Sequence, residues 1–152
     1  RSDLLWPTSL HLGFMTNAND PRRSIAACPG APACACSDTP TRTLAPSAAE
    51  ALASMLDGSL KVHLSGCVKG CANPDAAALT LIGGKDVCAV IVNGTAQAEP
   101  LVTIPIQALI PALARLGRVA AAARQSDERA AATLSRLGAA QIASILAERV
   151  DG

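Results

Sequence analysis

The sequence predicts an α/β (α+β) fold, a small mixed sheet with flanking helices. Apolar and polar residues alternate over 60–64, which is typical of a half-buried strand. Two further apolar runs, 77–82 and 87–92, also indicate strands, and the Gly-Gly-Lys-Asp at 83–86 between them is typical of a hairpin connection. From 105 to 149 the apolar spacing becomes helical, so a helical tail follows the strands, with breaks expected at Gly117 and Gly138.

One more helix is expected ahead of the first strand. The segment Ser47-Ala-Ala-Glu50 has the form of a capping box, and apolar residues beyond it fall on one face. Gly58 would stop this helix. The helix should therefore begin at Ser47 and separate two cysteine-containing segments.

Length and composition limit the classes of function. A chain of 152 residues suits a single domain, here 1–152, and can bury a core without disulfides. With 13 basic and 12 acidic residues and only 1% aromatic residues, the chain has neither a basic stripe nor stacking platforms for nucleic acid. Prolines and polar residues interrupt the longest apolar stretch, 101–116, which argues against a membrane span. With no signal peptide visible, we predict a cytoplasmic protein.

The cysteines carry the chemistry. Four of the six form two spaced pairs, Cys28-x5-Cys34 and Cys67-x3-Cys71, on the loops 28–36 and 65–74. Four thiolates from two short loops are the usual protein ligands of a [4Fe–4S] cluster. Clustered thiols in a chain without an export signal are also more often metal ligands than disulfides.

The residues between the cysteines suit such a cluster. Gly30, Gly66 and Gly70 lack side chains that would keep the loops away from the inorganic sulfides. Pro29 and Pro32 would stiffen the first loop by fixing φ. Small residues would also let backbone N–H groups point at the negative cluster.

Other interpretations of the thiols remain open at this stage. Structural zinc fits the x3 spacing of the second pair but not the x5 spacing of the first. A redox dithiol would be expected to have the Cys-x-x-Cys form, which is absent. Cys36 could replace Cys34 as a ligand, whereas Cys88 lies in an apolar strand and is predicted to be a small core residue.

The segments 27–34 and 65–74 together resemble the C-terminal half of the nitrite/sulfite reductase haemoprotein family, whose pattern is Cys-x5-Cys followed by Cys-x3-Cys. The resemblance implies the 4Fe-4S-type C-terminal domain of that family. It also implies that the cluster is held by four ligands: Cys28, Cys34, Cys67 and Cys71. In members that contain sirohaem, the thiol at the position of Cys71 bridges the cluster to the haem iron.

Within the family, the likeness is greatest to the enzyme of aerobic cobalamin biosynthesis that acts on precorrin-3A. It rests on Gly13-Phe14, on Asp20-Pro-Arg22 and on Ser65-Gly-Cys-Val-Lys-Gly-Cys71. It implies an oxidoreductase that hydroxylates this tetrapyrrole with oxygen, forms a lactone and needs an electron donor. Reduction of sulfite or nitrite at sirohaem is the alternative enzyme activity, and a non-catalytic electron-transfer module is the alternative of another class. The polar segment 37–42 departs from the Ala-rich helix start that the resemblance implies.

Full-length members of the family have two pseudo-symmetric halves, so we expect this chain to be a C-terminal portion whose N-terminal half is missing. Lys69 and Lys85 are candidates for binding the carboxylates of the substrate. His63 could bind a mononuclear non-haem iron, but a hydrogen-bonded strand histidine is the favoured expectation. The sequence identifies no catalytic residue.

Overall fold

The computed structural model describes residues 5–12 and 14–148. Four α-helices occur in this part of the chain: α1 (Leu5–His11), α2 (Thr41–Ala51), α3 (Leu109–Ala123) and α4 (Ala130–Ala147). Five strands form one sheet: β1 (Ile25–Ala27), β2 (Val62–Ser65), β3 (Ala77–Gly83), β4 (Val87–Gly94) and β5 (Val102–Pro105). Short 3-10 helices cover Pro21–Ser24, Ala53–Met55 and Ile106–Ala108.

The sheet is mixed, with the strand order β1-β2-β3-β4-β5. β1, β2 and β3 run parallel, and β4 and β5 are antiparallel to their neighbours. In the register, Ala27 lies opposite Leu64 and Leu64 lies opposite Leu81. The carboxyl ends of the three parallel strands therefore lie at one edge of the sheet, and the loops that follow them emerge side by side.

The main core lies between one face of the sheet and the three long helices α2, α3 and α4. Because side chains alternate along a strand, Val62, Leu64, Leu79 and Leu81 point to this face, where they are fully buried. The helices supply further buried side chains, including Leu52, Leu109, Leu113, Leu116 and Ile142. Aliphatic residues of moderate size thus fill a continuous core, with no aromatic side chain among its described members.

The opposite face of the sheet is covered by loops. Ile82 and Ile91 form a small apolar cluster there with Ala96. The turn containing Ala96 is tied to the loop after β2, because the Gln97 side-chain amide donates to the carbonyl oxygen of Val68 at 2.8 Å. The second cysteine loop is therefore fastened across this face.

These observations confirm the predicted mixed α/β fold with flanking helices. The hairpin at 83–86 and the three predicted strands are present within a few residues of their expected bounds. β1 and β5 were not predicted, because they are three and four residues long and offer too little alternation.

The start of α2 differs from the prediction. The helix begins at Thr41, so Ser47 is inside it, and it contains Pro46. Its position is set by tertiary contacts of the polar segment 37–42, whose Thr41 is completely buried. It ends at Ala51 and passes into the Ala53–Met55 turn before Gly58 is reached.

The predicted helical tail, 105–149, corresponds to the end of β5, a 3-10 turn, α3 and α4, and Arg149 lies outside the described residues. The expected break at Gly138 is confirmed by its φ of 76° inside α4. The break expected at Gly117 is wrong. A Cβ there would lie 2.7 Å from the carbonyl oxygen of Ala51, so this glycine allows α3 to pack closely on α2.

Two tail segments reach the length and hydropathy of a membrane span, although the sequence argued against one. They are Ile106–Ala123, with a mean hydropathy of 1.3, and Ala130–Ala147, with 1.2. One third of each is buried within the described fold, and Gly138 interrupts the second. Core helices have the same length and hydropathy, and α3 packs on α2 and α4 while α4 also packs on β5, as core helices do.

Candidate metal centre

The two cysteine loops meet because β1 and β2 are parallel neighbours. The backbone N–H of Cys28, directly after β1, donates to the carbonyl oxygen of Leu64 in β2 at 3.2 Å. The backbone N–H of Gly66, directly after β2, donates to the Sγ of Cys28 at 3.2 Å. A cysteine of the first pair is thus hydrogen-bonded to the loop that carries the second pair.

Cys28 is the most enclosed thiol of the two loops. The Thr41 hydroxyl lies 3.7 Å from its Sγ and donates to its carbonyl oxygen at 2.6 Å. Burial acts to raise the pKa of the Cys28 thiol, but hydrogen bonds to its sulfur, chiefly that from the N–H of Gly66, outweigh it, and the pKa is lowered. The environment therefore favours the thiolate, the form that binds metals.

The glycines of the loops are required by the surrounding protein. Gly30 has a φ of +62°, and an added Cβ would collide with the hydroxyl of Thr41. A Cβ on Gly66 would collide with Ser37. The expectation that these glycines give access to inorganic sulfide stays a prediction, and close packing between the loops is the reason visible here.

The other thiols lie toward the surface. Cys34 and Cys67 are half-buried, whereas Cys36 and Cys71 are exposed. The Nζ of Lys69 lies 3.2 Å from the Sγ of Cys36. Hydrogen bonding and charge from Cys36, and charge from Cys67 and Cys71, raise the pKa of Lys69. Lys69, in the second cysteine loop, therefore contacts a thiol of the first loop.

The thiols are not gathered as ligands of a single ion. Within residues 5–12 and 14–148, no three His, Cys, Asp or Glu side chains lie close enough together to hold one metal ion. Tetrahedral zinc, with Zn–S bonds of about 2.3 Å, would need sulfurs within about 4 Å of one another. A four-iron cube binds its thiolates at separate corners, further apart, so it does not require the sulfurs to lie that close together.

His63 lies beneath the second cysteine loop. It is in β2, completely buried, on the face opposite the main core. The expectation of a hydrogen-bonded strand histidine is wrong, since neither ring nitrogen has a partner among the described residues. Burial lowers the pKa of His63, which favours the neutral imidazole.

The two candidate substrate lysines lie at the edge of the sheet where the cysteine loops emerge. Lys69 is in the second cysteine loop, and Lys85 is exposed in the β3–β4 hairpin that follows the carboxyl end of β3. Lys61, directly before β2, lies at the opposite end of the strand. Arg22, in contrast, forms an ion pair with Asp20 at 2.6 Å, within the turn before β1.

Cys88 lies outside the two cysteine loops. It is a core residue of β4, as predicted, and burial raises the pKa of its thiol to about 12.

The polar segment 37–42 was not predicted to belong to the site. Its Thr39 hydroxyl donates to the carbonyl oxygen of Gly84 at 3.0 Å, which ties the first cysteine loop to the hairpin. The Ser and Thr content of the segment was the available signal, since such side chains bond backbone groups in loops.

Fold and site together define a mixed α/β domain that presents two cysteine loops at the carboxyl ends of parallel strands. The chain is 41% identical over 132 residues to precorrin-3B synthase from Sinorhizobium sp.. The match includes 87% of this chain but only 29% of that protein. The chain thus spans less than a third of the length of the curated relative it matches. No protein-family model matches the chain.

Proposed function

We propose that this chain is the cluster-binding part of an oxidoreductase of the precorrin-3B synthase kind, with the C-terminal 4Fe-4S-type domain of the nitrite/sulfite reductase family. The hydrogen bond from Gly66 to Cys28 is the observation that carries the proposal, because it joins the two cysteine loops. The identity to precorrin-3B synthase supports the same conclusion. The rest of such an enzyme would come from chain beyond these residues, and its proposed location is the cytoplasm.

The cluster would be bound by four thiolates, those of Cys28, Cys34, Cys67 and Cys71. When bound, it would supply electrons one at a time. The Gly66 N–H would continue to donate to the sulfur of Cys28, which stabilises negative charge. Burial of Cys28 on the inner side and exposure of Cys71 on the outer side would give the cluster one protected and one accessible corner.

The proposed substrate is precorrin-3A, a tetrapyrrole with several carboxylates. The proposed reaction is oxygen-dependent hydroxylation with lactone formation, which requires an external electron donor. Lys69 and Lys85 would bind carboxylates, because both lie at the edge where ligands of parallel sheets usually bind. Basic residues elsewhere in such an enzyme would complete the site.

Reduction of sulfite or nitrite at sirohaem is a second candidate. The exposure of Cys71 favours it, because this thiolate would be accessible to a second prosthetic group. Visible spectra of the purified protein distinguish the candidates, since only the second requires sirohaem absorbance.

Metal analysis tests the cluster. The chain is purified anaerobically, and iron, acid-labile sulfide and zinc are measured together with visible and electron paramagnetic resonance spectra. We expect about four irons and four sulfides per chain. The variant Cys67→Ser should lose them, whereas Cys88→Ser, at a core thiol, should retain them. One zinc per chain without sulfide would refute the proposal.

Binding of a stable polycarboxylate tetrapyrrole such as uroporphyrin tests the substrate class. Absorbance titration of Lys69→Ala and Lys85→Ala should show affinities about fivefold weaker each, as expected for loss of one exposed charge pair. Arg118→Ala, at an exposed cation of α3, is the matched control and should bind as the unmodified chain does. Equal weakening by all three variants would indicate nonspecific charge attraction.

A further inference from the structure

His63 is the most anomalous polar side chain in the described part of the protein. Its imidazole is completely buried, yet neither Nδ1 nor Nε2 has a hydrogen-bond partner there. Buried polar atoms are nearly always paired, because an unpaired one has lost its water without compensation. The anomaly calls for a partner that is present when the protein functions.

The ring lies under one specific point of the second cysteine loop. Its Cε1 is 3.6 Å from the position a Cβ of Gly70 would occupy. Cε1 is the ring atom between the two nitrogens, so the polar edge of the imidazole lies next to the loop. Gly70 directly precedes Cys71, the last cysteine of the two pairs.

The surroundings supply no alternative partner. Thr80, the neighbour of His63 in β3, donates its hydroxyl hydrogen to the carbonyl oxygen of Gly94 at 2.8 Å. The neighbour in β1 is Ala26, which has no polar side chain. The Cβ of Ala96 and the Nε2 of Gln97 lie 2.8 Å and 3.6 Å from the same Cβ position, and that amide already donates to the carbonyl oxygens of Val68 and Lys69. Among the described residues, the polar edge of His63 thus has only the cysteine loop, and whatever that loop binds, as a source of a partner.

We propose that His63 is a positioning residue that donates an N–H hydrogen bond to the Cys71 side of the bound cluster and so raises its reduction potential. The inference rests on the proposed function, since it requires the cluster. Hydrogen bonds to the sulfurs favour the reduced, more negative state and are one of the main determinants of cluster potential. A neutral imidazole has one N–H to give and adds no charge.

The test is a redox titration of the anaerobically purified chain, monitored by electron paramagnetic resonance. His63→Met and His63→Val remove the donor and keep an apolar side chain, and either suffices if the other does not fold. His63→Gln retains an N–H donor. His11→Gln, at the other histidine of the chain, is the matched control.

We expect the apolar variants to keep about four irons but to be harder to reduce. At a fixed potential their ratio of reduced to oxidised cluster should fall about tenfold, which corresponds to a shift of about 59 mV for one electron. His63→Gln should recover most of the reduction potential lost in the apolar variants, and His11→Gln should leave the potential unchanged.

Three results would overturn the inference, and they differ from one another. An unchanged potential in the folded apolar variants, with the cluster present, refutes the role of His63 alone. Loss of a single additional iron without a shift in potential makes His63 the ligand of a separate iron instead. Absence of iron and sulfide from the unmodified chain refutes the proposed function and this inference together.

Discussion

The backbone N–H of Gly66 donates to the Sγ of Cys28 across the boundary between two loops that are 38 residues apart in sequence. The bond exists because β1 and β2 are parallel neighbours and their following loops emerge at the same edge. It brings the sulfur of Cys28 into direct contact with the residue that precedes Cys67. It also gives the buried thiol a donor that favours its ionised form.

Replacing Gly66 by Ala should separate these loops. The added Cβ would overlap the side chain of Ser37, and overpacking of this kind costs about 1–3 kcal/mol. We expect Gly66→Ala to lower the free energy of unfolding in urea by that amount and to reduce the iron content after anaerobic purification. Gly84→Ala is the control, because its Cβ would lie 3.3 Å from the Cγ2 and 3.5 Å from the carbonyl oxygen of Val87, without the overlap found at Gly66. Equal effects of the two substitutions would contradict the proposed packing.

The choice between Cys34 and Cys36 as the fourth ligand can be decided by substitution. The N–H of Cys34 donates to the carbonyl oxygen of Gly30 at 2.8 Å, which holds Cys34 in the same tight loop as Cys28. Cys36 is exposed, and its sulfur is hydrogen-bonded to the Nζ of Lys69. Cys34→Ala should therefore lose most of the iron and sulfide, and Cys36→Ala should keep them. The reverse pattern would identify Cys36 as the ligand.

Asp57 should make the stability of the protein depend on pH. Its carboxylate accepts from the N–H of Ala130 at 2.9 Å and so caps α4 from 73 residues away. Burial opposes ionisation, but hydrogen bonds from Ser59 and Ala130 outweigh it and lower the pKa of Asp57 from 3.8 to about 2. Because the folded pKa is the lower one, the stabilisation is complete above about pH 4 and is lost as the pH falls toward 2.

The corresponding variant is Asp57→Ala. At pH 7 its free energy of unfolding, measured in urea, should be about 1–2 kcal/mol lower than that of the unmodified protein, as expected for loss of a helix cap. The difference should shrink as the pH is lowered toward 2. The exposed Asp75, replaced by Ala, serves as the control and should show a much smaller difference at either pH. A deficit in Asp57→Ala that does not change with pH would contradict the role of its charge.

The main core should be sensitive to truncation in α3. Leu113 is completely buried between that helix and the sheet, so Leu113→Ala removes packed methyl groups and leaves a cavity. We expect a loss of about 2–5 kcal/mol in the free energy of unfolding. Leu12→Ala, at a leucine that is 70% exposed, should change it by less than about 0.5 kcal/mol. Urea denaturation followed by circular dichroism measures both, and similar losses would mean that α3 does not form the core.

The regular elements follow from local pattern wherever that pattern is long enough. β3 and β4 were predicted because seven or eight residues of apolar sequence flank an obvious turn. The start of α2 was predicted wrongly. The capping-box pattern at Ser47 is a local signal, and contacts made by Thr41 across the fold override it. The cap of α4 by Asp57 is likewise invisible in the sequence, since its two partners are distant along the chain.

The sequence by itself determined the class of fold and the spacing of the cysteine pairs, because hydrophobic period and residue intervals are properties of neighbouring residues. The tertiary structure alone decided which loops meet, that Ser37 and Thr41 support the thiols, and that His63 is buried without a partner. These features depend on parallel pairing of β1 with β2 and on the loop that crosses the sheet. Contacts of that kind form between segments far apart in sequence, where no local pattern records them.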